Sequence, residues 1–307
     1  MTFALIRRGQ PPRLPTSLAQ RDVPRRLHDL AAAAECFQID DDLAEAVNVA
    51  LAVGAPLLLT GEPGTGKTQL AYYLAWQFGL QPEQPFTLEV KSNSAARDLL
   101  YRFDTVAYFH EAQRRDGSPV DKQSFIEKGP LWRAFAAIRS GNPAIVLIDE
   151  IDKAPRDFPN DLLHELDQYS FRVAETGEVI TADRNAPPPV VVVTSNSEKR
   201  LPDAFLRRCV VHRIEFSEEV LRDAVAARRE LQKQQDLSET AQRRFLEVRR
   251  QLQAHQHKPP ATAEFLVWLA ALQASRVRAE DLATVPTREL PLLSALVKET
   301  GARESLG

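Results

Sequence analysis

The sequence predicts an α/β fold in which a parallel five-stranded sheet is covered by helices and followed by an all-helical region. Three observations lead there. Short unbroken apolar runs alternate with helical patterns from residue 40 to about 216. Several of those runs end abruptly in glycine or polar residues. After Ser217 the runs stop and only helical periodicity continues. Strands buried on both faces read as continuous Val/Ile/Leu runs, and their alternation with helices is the pattern of a parallel sheet.

Residues 1–22 are rich in Arg and Pro, lack periodicity and read as a tail or surface arm. Apolar residues then recur at Leu43, Ala46, Val47, Ala50 and Leu51, which predicts a helix capped by Asp40 or Asp41. Leu57–Leu59 reads as the first buried strand. A glycine-rich turn follows, then a helix with Leu70, Ala71, Leu74, Ala75 and Phe78 on one face. Phe86–Val90 is the second strand. Residues 91–139 are mixed, with turn signals at Asp116–Pro119 and Gly129–Pro130. Ala144–Ile148 is the third strand, and Leu162, Leu163 and Leu166 mark a helix. Phe171–Thr181 alternates around Thr176–Gly177 and predicts a hairpin. Val190–Val193 and Val210–Phe216 complete the strands. The composition shift puts a boundary between an α/β domain over 23–216 and a helical domain over 217–307, the latter broken at Lys258–Pro259–Pro260 and near Pro286.

A chain of 307 residues with 44% hydrophobic residues has room for two modest domains and a sizeable core. A net charge of -3 gives no strong bulk attraction for nucleic acid or anionic membrane. The Arg/Gln-rich run from Arg222 to Gln256 has Glu and Asp interleaved, so it reads as a solvated helix face rather than a nucleic-acid surface. The two cysteines, Cys36 and Cys209, form no C-x-x-C pair, and sparse cysteine fits a cytoplasmic setting. No apolar run approaches the ~20 residues needed to span a bilayer. The opening stretch MTFALIRRGQPPRLP lacks an apolar leader region, and Arg7–Arg8 are followed by Gly-Gln-Pro-Pro rather than an apolar segment.

Gly61-Glu62-Pro63-Gly64-Thr65-Gly66-Lys67-Thr68 matches G-x-x-x-x-G-K-[ST]. Glycines let successive N–H groups turn toward phosphate oxygens, and the following helix directs its positive end at the same anion. Lys67 is expected to reach the β- and γ-phosphates of a nucleotide, and Thr68 to ligate Mg²⁺. With Gln69 next in the helix, these residues form the candidate nucleotide-binding set. The motif follows a predicted strand and opens a predicted helix, as its chemistry requires.

The third strand ends in Asp149-Glu150. Carboxylates are rarely set at the end of a buried strand without a cation or partner. Asp149 is placed to hold Mg²⁺ with Thr68, and Glu150 to orient or deprotonate the attacking water. The fourth run ends in Ser195-Asn196. Asn196 either bonds the lytic water or γ-phosphate, or is a turn residue.

The stretches GEPGTGKT, IVLIDEIDK, VVVVTSN and LPDAFLRRC, in this order and spacing, resemble AAA+ ATPases of the MoxR type over roughly residues 35–275. Phe125–Trp132 is similar to the G-P-L segment of that branch, residues 93–128 would hold its helix-2 insert, and 171–181 its hairpin before the sensor strand. The resemblance implies a P-loop NTPase core with strand order 5-1-4-3-2, a helical lid, hexameric rings with ATP at subunit boundaries, and a chaperone-like role, often beside a partner with a von Willebrand A domain. Asn196 matches the position that senses the γ-phosphate. Arg207 and Arg208 fall just before the last strand, on the sheet edge away from the phosphate loop if the implied order holds. Arg208 then reads as an arginine finger for a neighbouring molecule, and Arg207 as a boundary ion pair or second phosphate contact. The alternative is a pair of surface ion pairs. Relatives often carry a lid arginine where this chain reads His257-Lys258-Pro259-Pro260-Ala261-Thr262-Ala263-Glu264, with Lys258 the nearest cation.

Other features read more simply. His255 and His257 are expected as a surface pair, not a metal site. Cys209 fills space, although Arg208 beside it would favour a thiolate. Trp132 and Trp268 are expected in the core. Asp152-Lys153 is either an ion pair or part of a subunit boundary. Two functional alternatives stand beside ATP-driven remodelling: a GTP-using motor subunit of a DNA restriction complex, and a nucleotide-driven assembly switch with little turnover.

Overall fold

The computed structural model describes residues 27, 29–80, 84–114, 120–183, 185–228, 231–232, 234–299 and 301–307. The expected tail over 1–22 and the turn at 116–119 lie outside them. The chain divides into two compact units. One comprises Ile39–Glu62 and Lys67–Ile214; the other comprises the described residues up to Gln38, Pro63–Gly66 and Glu215–Gly307.

The first unit is built on five parallel strands: β1 (Leu57–Gly61), β2 (Phe86–Glu89), β5 (Ile145–Asp149), β8 (Val190–Ser195) and β9 (Val210–Ile214). Their spatial order is β2-β5-β8-β1-β9. Counted in chain order among these five strands, that is 5-1-4-3-2 read from the β9 edge, as the resemblance implied. The three central runs are buried as expected: Leu58, Leu59, Val146, Leu147, Ile148, Val192 and Val193 are all fully enclosed. The run expected over Val210–Phe216 is instead an edge strand that ends at Ile214 and leaves Val211 half exposed, because only one neighbour covers it. The helix Asp41–Val53 starts where Asp40 accepts a hydrogen bond from Leu43 N at 2.8 Å, which settles the choice between the two aspartates.

Two small antiparallel pairs complete this unit. β3 (Tyr101–Phe103) pairs with β4 (Ile126–Lys128), and β6 (Ser170–Arg172) with β7 (Val179–Thr181). They are pinned by an aromatic cluster. Tyr101 stacks on Phe171 at 6.3 Å, and Trp132 meets Phe171 edge-on at 5.6 Å. The Tyr101 hydroxyl accepts from Ala174 N at 2.9 Å. Trp132 is therefore core, as expected.

The second unit is helical, with helices Glu218–Ala226, Gln235–Ala254, Thr262–Ala274 and Ala279–Thr284. Phe245, Phe265 and the fully buried Trp268 centre its core, and Trp268 Nε1 donates to Pro291 O at 2.9 Å. The Arg/Gln-rich run differs from a purely solvated face. Arg249 is buried, stacks 3.6 Å from the Phe216 ring and donates to Pro260 O. Its guanidinium ties the break at 258–260 to the long helix, which charge interleaving alone does not reveal.

Candidate nucleotide site

Parallel strands bring their C-terminal ends to one edge of a sheet, and ligands of such folds gather there. In register, Ile148 lies level with Val193, Leu59 with Thr194, and Thr60 with Ser195. The glycine turn after β1, the acids ending β5 and the polar end of β8 thus share that edge.

Gly61 ends β1 at φ +136°, and a Cβ there would lie 2.3 Å from the backbone oxygen of Ile214. Only glycine allows this approach. Lys67 opens the helix Lys67–Gln77 and is buried. Its ammonium donates to Gly61 O at 2.9 Å and Glu62 O at 2.8 Å. A buried cation needs such acceptors, and these are at the turn where phosphate oxygens are expected. Glu62, Pro63, Thr65 and Gln69 are half-buried, as are Gly64 and Gly66.

Residues 63–66 cluster with the helical unit. Gly64, at φ +81°, accepts from Ala263 N at 3.1 Å, and a Cβ on it would lie 2.6 Å from Glu264 Oε2. The start of the helix Thr262–Ala274 therefore meets the loop through backbone. Lys258 is exposed and makes no hydrogen bond or ion pair among the described residues.

The acids form a linked set. Thr68 Oγ1 donates to Asp149 Oδ1 at 2.8 Å. Thr194 Oγ1 donates to the same oxygen at 2.6 Å and accepts from Glu150 N at 2.8 Å. Glu150 sits in the left-handed region at φ 58°, unusual for a residue with a side chain. Its Oε1 accepts from Asn196 Nδ2 at 3.1 Å, and its other oxygen pairs with Lys153. That bond raises the Lys153 pKa. The Asn196 amide thus contacts the Glu150 carboxylate. Asp152 and Lys153 do not pair with each other. Asp152 is buried against the loop after β8.

Thr68 and Asp149 present hard oxygen donors 2.8 Å apart, the ligand type Mg²⁺ takes. They fit that ion. Among the described residues, no cluster of His, Cys, Asp and Glu suits a transition metal. His255 and His257 bind Gln251 O and Glu299 instead.

Thr194 is the member of this hydrogen-bonded set that motif reading missed. Its signal was present: a threonine closing the run Val190–Val193 in a buried strand must find partners for its hydroxyl. It is 1% exposed and holds both acids.

Arg207 and Arg208 precede β9, whose first residue Val210 lies level with Leu57, the first residue of β1. They stand at the opposite edge from the acids, which end β5 three strands away. Arg208 Nε donates to Asp167 at 2.7 Å and its Nη1 to Ala204 O at 3.0 Å. Both members of that ion pair are well exposed. Arg207 is exposed and makes no ion pair among the described residues. Cys209 is no thiolate: burial pushes its pKa up to about 12.

A family profile described as AAA domain (dynein-related subfamily) matches residues 56–209. No curated protein matches the chain. Among solved structures, the S. cerevisiae Hsp104-ADP complex is similar at 18% identity and a TM-score of 0.42, over 72% of this chain. The chain spans 41% of that protein's length. No helix of the described residues is long and apolar enough to cross a membrane.

Proposed function

The chain belongs to the AAA domain family of the dynein-related subfamily and is an ATPase of the AAA+ class, and from that premise we propose a Mg²⁺-dependent, MoxR-type machine that remodels or matures partner proteins. In this reading it is cytoplasmic and works as a ring, with ATP at subunit boundaries. A protein carrying a von Willebrand A domain is the proposed partner class.

One observation carries the chemistry: Thr68, Asp149, Thr194, Glu150 and Asn196 form a single chain of hydrogen bonds at the end of β5 and β8. In this reading, Lys67 and the loop amides from Gly61 to Thr68 hold the phosphates, with Gln69 adjoining. Thr68 and Asp149 hold Mg²⁺, which when bound offsets negative charge on the phosphate oxygens. Glu150 accepts a proton from, or aligns, the attacking water, and Asn196 sets the carboxylate's direction while facing the γ-phosphate. Arg208 of one subunit serves the site of the next, a contribution of about 10³ to 10⁵ in rate where such fingers act. In that step it exchanges Asp167 for phosphate.

Glu150→Gln tests the assignment. The variant keeps the shape and one of the two acceptor oxygens but cannot take a proton. ATP should still bind, with turnover reduced by about 10² or more. Wild-type turnover in that variant removes Glu150 from the role. A competition assay between ATP and GTP, scored by phosphate release, separates this reading from the GTP-using motor.

A further inference from the structure

Asp152 is a carboxylate with no task in the chemistry above, yet it is only 2% exposed. Burying an ionised carboxylate is costly unless its oxygens are hydrogen-bonded. Here the two oxygens are divided between two amides of another segment. Oδ1 accepts from Asn196 N at 3.2 Å, and Oδ2 from Glu198 N at 2.9 Å. Between them Ser197 sits at φ 61° and donates its own N–H to Ser195 Oγ at 3.0 Å. The three successive N–H groups of residues 196–198 are thus all held by side chains. A left-handed residue in such a turn persists only where its surroundings fix it. The neighbouring Lys199 ammonium adds bonds to Lys153 O at 3.2 Å and Ala154 O at 3.0 Å.

Asn196 is consequently gripped twice by one short stretch. Glu150 takes its side chain at 3.1 Å, and Asp152 takes its backbone. We infer that Asp152 is a positioning residue for hydrolysis: it fixes the turn that carries Asn196, and so the direction of the Asn196 amide at the Glu150 carboxylate. An acid suits this place because a carboxylate offers two acceptors and no donor. Asparagine would turn an NH₂ group toward one of the two backbone N–H groups. The inference rests on Asn196 working in hydrolysis, as proposed above.

A double-mutant cycle on the full chain tests it. Steady-state ATPase rates are measured for the wild type, Asp152→Asn, Asn196→Ala and the double variant, with Kd for a fluorescent ATP analogue measured in parallel. Each single change should lower kcat by about tenfold to a hundredfold while Kd stays within about threefold, since misplacing a group costs rate more than binding. The double variant should be no slower than the slower single, because both changes remove the same interaction. Losses that multiply would overturn the role of Asp152 and leave that of Asn196 standing. A wild-type kcat in Asn196→Ala would overturn both. If Asp152→Asn does not fold, Asp152→Glu, which keeps the charge but displaces the oxygens by one methylene, enters the same cycle with the same expectation.

Discussion

Replacing Thr194 with valine should damage stability and turnover together. The swap nearly preserves volume, so no large cavity forms, but it deletes one hydroxyl that makes two bonds. Glu150 N would lose its partner at 2.8 Å, and Asp149 would lose one of two hydroxyl donors to Oδ1. An orphaned N–H costs about 1–3 kcal/mol, and a hydrogen bond to a charged group is worth about 1.5–3 kcal/mol. The second loss is softened because Thr68 remains on Asp149 and water reaches that half-exposed carboxylate. The net expectation is about 2–4 kcal/mol, a large share of a typical stability of about 5–15 kcal/mol. For a unit of this size that is about 5–15 °C in Tm. Thr194→Ser keeps the hydroxyl and should lose little of this. Turnover should fall at least about tenfold in the valine variant, because the bond from Glu150 N anchors the backbone that aims the proposed base. The assays are thermal melting followed by tryptophan fluorescence and steady-state phosphate release. A valine variant melting within about 2 °C of wild type with unchanged kcat would refute the reasoning.

Three further outcomes are expected. Inactive Arg208→Ala and inactive Lys67→Ala subunits, mixed into common rings, should regain part of the activity, since one supplies the finger and the other the site; silent rings of proven mixed composition count against a shared site. Gly61→Ala should destabilise the first unit, because its Cβ would meet Ile214 O at 2.3 Å and that atom is backbone and cannot swing away; a variant as stable as wild type would show that the strand can shift. Cys209 should resist alkylation at pH 8 until the protein is denatured. Its folded pKa of about 12 lies above the unfolded value, so the unfolded chain binds fewer protons between about pH 9 and 12. Stability from this group is therefore full below pH 9 and declines through that window; melting temperatures that rise across it would contradict the assignment.

The main sheet was legible because its three central strands, β1, β5 and β8, are runs enclosed on both faces, and their ends carry residues that such a strand does not otherwise tolerate; the edge strands β2 and β9 are only partly buried. The mixed stretch from 91 to 139 was not. β3 and β4 have three residues each, too few for an alternation to show, and helix Thr105–Arg114 buries no residue to mark a face. The helix Pro130–Arg139 did carry the signal, with Pro130 at its start and Leu131, Ala134, Phe135 and Ile138 buried, but the preceding turn residues obscured it. At the site, the loop and the two acids follow from motif chemistry. Thr194 and Asp152 do not, since their work depends on which strand lies beside which. The long helix shows the same limit: Arg249 looks like one more solvated arginine until Phe216 is placed under it.

The backbone of Glu150 has a consequence for engineering. A side-chain-bearing residue held in left-handed geometry costs about 1–2 kcal/mol that glycine would not. Glycine at 150 would relax that conformation and remove the proposed base in the same step, whereas the Gln variant keeps the tension along with the shape. Selection for thermal robustness alone would therefore push this position toward an inert protein. Libraries screened for heat tolerance should carry a hydrolysis screen beside it, or the most durable clones will be the ones that no longer turn over ATP.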